Sequence, residues 1–243
     1  MRGGAATAAR VLRQLRHDPR TVGLLLGVPA VLMSIFRFVY DHEHAAFERA
    51  GPELMVLFPL FTMFLVSSVA LLRERTSGTL ERLLTTPLSR LSLVGGYALA
   101  FTSLACIQAG IVTALSLGAL GLKLAGSTAL VVVLAATVAL LGLGLGLLAS
   151  AFARSEFQVV QFFPATILPQ LLLCGLLVPR ARMGAVLHGI SDALPMSYAV
   201  DGIRHLSLGR GASSAAVGDV AIVLAYALGA ILLGALTLQR RTD

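Results

Sequence analysis

The sequence predicts an all-α membrane protein with six transmembrane helices. Three observations carry that expectation. First, apolar types make up 57% of the 243 residues and charged types 13%, where a water-soluble domain carries about 25% charged residues. With a mean hydropathy of +0.87, the chain lacks the polar groups to cover a water-facing surface. Second, the apolar residues fall into six runs near the ~20 residues a helix needs to cross a bilayer: Thr21–Tyr40, Glu53–Leu72, Ser92–Leu120, Thr128–Ala151, Val160–Val178 and Val217–Leu238. Third, the eighteen arginines and one lysine lie almost wholly between these runs. Six crossings gather twelve of them, including Arg2, Arg10, Arg13, Arg16, Arg20, Arg73, Arg75, Arg82, Arg90 and Arg154, on the side of the termini. That bias predicts a cytoplasmic location for both termini.

The elements follow in order. Residues 1–20 place Val11, Leu12 and Leu15 on one helical face and Arg10, Arg13 and Arg16 on the other. An amphipathic helix lying at the membrane interface is the preferred reading over a solvated basic tail. Asp18-Pro19 supplies an N-cap and a first-turn proline for the first span. That span is too long for a signal peptide and no A-x-A cleavage site follows it. The stretch Asp41 to Glu53 is an acidic outer loop. The third run is long enough to tilt or to extend beyond the bilayer. In the fourth, Gly142 and Gly146 have the G-x-x-x-G spacing that lets two helices pack closely, within one chain or between two. Residues 179–216 are too long for a plain loop. Met183, Val186, Leu187, Ile190 and Leu194 repeat there at helical spacing, and Asp192, Asp201, Arg204 and His205 are expected to cap and pair at the outer interface. Cys106 and Cys174 lie in apolar runs and read as buried free thiols.

The segment 73–91 is the most informative. Leu80, Leu83 and Leu84 share one face of a short helix, with Glu81, Arg82 and Thr85 elsewhere. Gly78 can cap its start, Glu81 sits near its positive end, and Pro87 stops it. Such a helix, about 12 Å long, suits a groove in a soluble partner. An interfacial loop helix without a partner is the alternative. The run Arg73-Glu74, Gly78-Thr79-Leu80-Glu81, Leu83-Leu84 and Thr86-Pro87 is similar to the signature of ABC-2-type transporter permeases, the membrane subunits of ABC exporters such as the daunorubicin-resistance type. Gly96 and Tyr97 stand where members of that family often carry a lysine. The resemblance extends to the Arg-x-x-Arg-x-Asp-Pro entry of the first span and to the last third. There Pro164, Pro169, Gly175 and Pro179 precede Leu194-Pro195 and Tyr198 to Arg204.

The resemblance implies that Glu74, Arg75, Gly78, Thr79, Leu80, Glu81, Arg82, Leu83, Leu84, Thr86 and Pro87 form a coupling helix docking on an ATPase subunit. It also implies re-entrant helices in the outer leaflet before the last span. The 243 residues contain no P-loop, since Lys123 is followed by Leu-Ala-Gly. The resemblance then implies that ATP and Mg belong to a separate ATPase subunit, and no cofactor, metal site or catalytic residue is expected in this chain. No H-E-x-x-H or G-x-S-x-G occurs, and the histidines lie outside the spans. The arginines are scattered, which argues against a nucleic-acid partner.

The spans carry almost no ionisable groups, which disfavours a proton-coupled carrier. Gln158, Gln161, Phe162, Phe163 and Gln170 are the candidate neutral lining of a translocation path, with ordinary packing as the alternative. The expected function is the permease subunit of an ATP-driven exporter in a bacterial inner membrane. Its expected partners are a separate ATPase, a second copy of itself or a related permease, membrane lipid and an amphiphilic substrate. A secondary transporter or a non-transporting scaffold that recruits a soluble protein are the alternatives.

Overall fold

In hydrocarbon every backbone N–H and C=O must be satisfied within its own segment, so apolar runs of this length fold as helices. The computed structural model describes residues 7–13, 17–76, 90–208 and 213–237, and among these there is no strand. Helix α1 comprises residues 7–13. It is followed by α2 (Pro19–Val39), α3 (His44–Thr76), α4 (Arg90–Ala114, extended by a π-helical turn Leu115–Ala119), α5 (Thr128–Phe152) and α6 (Glu156–Leu173). Short helices α7 (Ala185–Asp192) and α8 (Pro195–Leu208) precede α9 (Ser213–Leu236). Helices α2, α3, α4, α5 and α9 are long and apolar enough to cross a membrane.

The fifth expected span differs from its prediction. Residues 160–178 were to form it, but α6 starts at Glu156 and ends at Leu173. Gly175 leaves the helix at φ +93°, a conformation that glycine adopts without penalty. Three glutamines and two internal prolines lower the apolarity of α6, which does not stand among the five membrane-length helices. At 1.5 Å per residue it is about 27 Å long.

Its ends are nevertheless fixed at opposite ends of the bundle. Glu156 meets Arg73 at the end of α3, whereas the carbonyl of Leu173 accepts from Ser191 of α7 (2.7 Å). The carbonyl of Gly175 accepts from Arg204 of α8 (2.8 Å). Thus α6 reaches from the end of the bundle that holds Arg73 to the end that holds Arg204.

Other boundaries shift as well. Helix α3 begins at His44, so most of the expected outer loop Asp41–Glu53 is helical. Asp18 caps α2 as expected, accepting from Thr21 N (3.2 Å) and Thr21 Oγ1 (2.6 Å), with Pro19 in the first turn. The Thr21 side chain, then its backbone N–H, hold the Asp18 carboxyl below its ordinary range. A depressed folded-state value means that the cap contributes at neutral pH and is lost as pH falls through it. In α1, Val11 is buried, but Leu12 is exposed and Arg10 turns inward instead of facing solvent, while Leu15 and Arg16 lie outside the described residues. Cys174 is a buried free thiol as expected, whereas Cys106 is free but exposed on the outer face of α4.

Helix α5 is the centre of the bundle. Between apolar helices in lipid, association rests on close packing, which small residues permit. A Cβ at Gly142 would collide with the carbonyl of Leu60, and one at Gly146 with Phe64 O and Ser67 Oγ, so this face of α5 lies directly on the α3 backbone. On the other face, a Cβ at Gly144 would stand 2.8 Å from Ala230 Cβ of α9. The glycine repeat thus serves contacts within one chain. Leu134, Val138 and Leu141 of α5 pack with Met55, Leu57, Leu60 and Phe64 of α3 and with Val223 and Ala227 of α9.

Candidate coupling end of the helix bundle

Three consecutive charged residues stand in the last turn of α3: Arg73, Glu74 and Arg75. Successive positions on a helix point about 100° apart, so three in a row reach neighbours on several sides. Arg73 is exposed and forms a fork with Glu156 at the start of α6, through Nε (2.6 Å) and Nη2 (3.1 Å). Ser155 caps that helix by accepting from Gln158 N (3.2 Å), and Gln158 Oε1 accepts from Arg154 N (2.8 Å).

Glu74 pairs with Arg10 of α1 (3.6 Å). Arg10 Nη2 also donates to the hydroxyl of Tyr97 in α4 (2.8 Å). Its guanidinium carbon stands 5.9 Å from the centroid of the same ring.

Arg75 is half-buried and does different work. Its Nη1 donates to the carbonyl of Ser150 (2.8 Å) and its Nη2 to the carbonyl of Thr237 (3.3 Å). Ser150 lies in the last turn of α5, where carbonyls run out of helical N–H partners and the helix dipole is negative, and Thr237 directly follows α9. The N–H of Arg154, which would continue the ladder to Ser150, is instead taken by Gln158. A cation with a rigid planar fork therefore satisfies the ends of two helices at once.

The remaining predicted coupling residues, Gly78, Thr79, Leu80, Glu81, Arg82, Leu83, Leu84, Thr86 and Pro87, lie outside the described residues. The five path candidates occupy separate settings. Gln158 belongs to the α6 cap, Gln161 is exposed, and Gln170 is buried and donates to Thr166 O of its own helix (3.2 Å). Phe163 packs edge-on against Phe61 (5.5 Å) and Phe64 (5.7 Å), with Phe162 half-buried beside the core.

Two polar groupings were not foreseen. At mid-height Gln108, fully buried in α4, donates through Nε2 to Leu25 O of α2 (2.6 Å) and to Thr62 Oγ1 of α3 (2.5 Å). At the end opposite Arg73, Arg204 pairs with the buried Glu53 of α3, and Arg180 pairs with both Asp192 and Asp201. His205 Nδ1 stands 2.9 Å from Asp219 Oδ2. The pairing expected of Asp192, Asp201, Arg204 and His205 is present, but Glu53 as the partner of Arg204 had no signal in the sequence.

The chain matches the family model described as ABC-2 type transporter over residues 4–208. The chain belongs to the ABC-2 type transporter family. It is thus a multi-pass membrane protein of that family. It is 25% identical over 171 residues to ABC transporter G family member 20 of Dictyostelium discoideum, covering 70% of this chain and 23% of that protein. It is 29% identical over 157 residues to the probable multidrug ABC transporter permease YbhR of Escherichia coli, covering 65% of this chain and 43% of the relative. The linearmycin resistance permease protein LnrN of Bacillus subtilis is 27% identical over 172 residues, covering 71% and 44% respectively. The matched segment spans less than half the length of each of these ABC-2 relatives.

Proposed function

We propose that this chain is the membrane-spanning permease subunit of an ATP-driven exporter, with ATP hydrolysis on a separate subunit. The observation that carries the reading is the family match across residues 4–208. The names of the Escherichia coli and Bacillus subtilis relatives, a probable multidrug permease and a linearmycin resistance permease, support export of a drug-like compound, and an amphiphilic substrate is part of this proposal. In this reading six helices cross the bilayer, α6 included, and the Arg73 end with its basic residues is cytoplasmic. Helices α7 and α8 then sit in the outer leaflet. This copy pairs with a second copy or a related permease, and the expected coupling helix within residues 73–91 meets an ATPase that holds ATP and Mg.

The side chains of Glu74 and Arg75 face the bundle. Contact with the ATPase therefore falls to Glu81 and Arg82, with Leu80, Leu83 and Leu84 packing the expected coupling helix in place. The near absence of ionisable groups inside the apolar helices favours an external energy source over ion coupling.

The test is co-purification of the full chain from its native host, followed by reconstitution of the complex into vesicles. A bound P-loop ATPase and ATP-dependent movement of an amphiphilic probe are the expected results. An ATPase that binds without any vectorial transport would instead make the chain a membrane scaffold.

A further inference from the structure

We infer that the bundle-facing side of α4 holds internal water, bound by Gln108, Thr113 and Ser116. The three residues stand at positions i, i+5 and i+8 of one helix and are 0%, 2% and 0% exposed. From Gln108 to Ser116 the rise is about 12 Å, from mid-height towards the end opposite Arg73. Gln108 Oε1, Thr113 Oγ1 and Ser116 Oγ meet no hydrogen-bonding group among the described residues. Gln108 Nε2, in contrast, is engaged by Leu25 O and Thr62 Oγ1, which fixes the amide with its oxygen unpaired.

Other buried hydroxyls behave differently. Ser67 and Ser68 of α3 and Thr137 and Ser150 of α5 each donate to a carbonyl three or four residues earlier in their own helix. That local bond lets a hydroxyl sit in an apolar helix without a partner on a neighbour. Thr113 and Ser116 do not make it. Ser116 lies in the π-helical turn, where Leu120 N–H donates to Leu115 O (3.0 Å) and Leu122 N–H donates to Ser116 O (2.9 Å). The regular ladder is therefore displaced at this hydroxyl.

Leaving a buried polar oxygen unpaired is costly, and three on one side of one helix point to a shared polar occupant. Helix positions three apart place their Cβ atoms about 5–6 Å from each other, so one water can reach both Thr113 and Ser116. A buried water is held by about two to four polar partners, and these two hydroxyls supply two. Gln108 Oε1 accepts from a second water nearer mid-height. A cation fits less well, because all three side chains are neutral and leave its charge unbalanced. Ser116 stands within about one turn of the end of α4, where Gly118, Ala119 and Gly121 are exposed, so the site lies close to that end of the bundle.

The experiment detects the water and its effect on stability separately. In the perdeuterated full chain in lipid nanodiscs, with amide protons restored, magnetisation transfer from water is expected at the amides of Thr113 and Ser116. None is expected at Val138, which is equally buried in α5. No transfer at either α4 amide would overturn the inference. Thr113→Val and Ser116→Ala remove the hydroxyls without adding bulk. With water bound, each variant is expected to melt about 2–4 °C below the parent, the loss of roughly one hydrogen bond. Both variants melting at or above the parent would equally overturn it, because deleting a buried hydroxyl that binds nothing removes a cost rather than a bond.

Discussion

At the residue scale, Gln108 shows how the fold answers a proline inside an apolar helix. Pro29 has no N–H, so the carbonyl of Leu25, four residues earlier, has no partner within α2. Gln108 Nε2 supplies the donor from α4, and its second N–H goes to Thr62 Oγ1. Thr62 in turn stands within bonding distance of the carbonyls of Phe58 (3.3 Å) and Pro59 (3.2 Å). A glutamine within the third apolar run was visible in the sequence, but its partners, 83 and 46 positions away, were not. Gln108→Leu is therefore expected to destabilise the parent by about 1 kcal/mol, the scale of buried hydrogen bonds in membrane proteins. In a Pro29→Ala background the loss should shrink, because that substitution restores the missing backbone N–H to α2. Thermal unfolding of the four detergent-solubilised variants measures this cycle. Strict additivity would show that Gln108 does not serve the carbonyl freed by Pro29.

At the scale of elements, the segment after α6 is fastened by two arginines. Arg204 joins α8 to Glu53 of α3 and to the carbonyl of Gly175, and Arg180 joins its own turn to α7 and α8. Ser191 and Ser197 complete the fastening through Leu173 O (2.7 Å) and Ser191 O (2.7 Å). Periodicity alone predicted an apolar helical stretch over 183–194, and α7 covers its centre. It did not predict that α6 would stop at Leu173, because the apolar run continues through Val178 and only the turn at Gly175 ends the helix. Arg204→Ala strands a carboxylate whose side chain is 7% exposed, and breaking a buried pair in this way costs about 3 kcal/mol. The double variant Arg204→Met, Glu53→Leu should recover most of that stability, since it leaves no unpaired charge. Unfolding midpoints in one detergent provide the comparison, and a double variant no better than Arg204→Ala would refute the pairing as the cause.

At the scale of the whole molecule, α5 is the axis on which α3 and α9 are packed, and its glycines set the spacing. Gly146→Val drives side-chain atoms into Phe64 O and Ser67 of α3 and should abolish a stable folded bundle, read as loss of a monodisperse peak after solubilisation. Gly27→Ala, with nothing within 4 Å of the new Cβ, should leave that peak intact. Equal behaviour of the two variants would mean that α3 and α5 do not meet at this face. The G-x-x-x-G spacing announced a close approach, but not which helix would make it. The sequence by itself determined that the chain folds as apolar helices and that its charges collect at helix ends. Those properties are local, since they follow from transfer of side chains to hydrocarbon and from backbone groups satisfied within one segment. Only the tertiary structure decided that Arg75 caps α5 and α9, that Glu53 meets Arg204, and that Gln108 answers Pro29. Those contacts join positions up to 162 residues apart, and they exist only once the packing of small residues has brought the helices side by side.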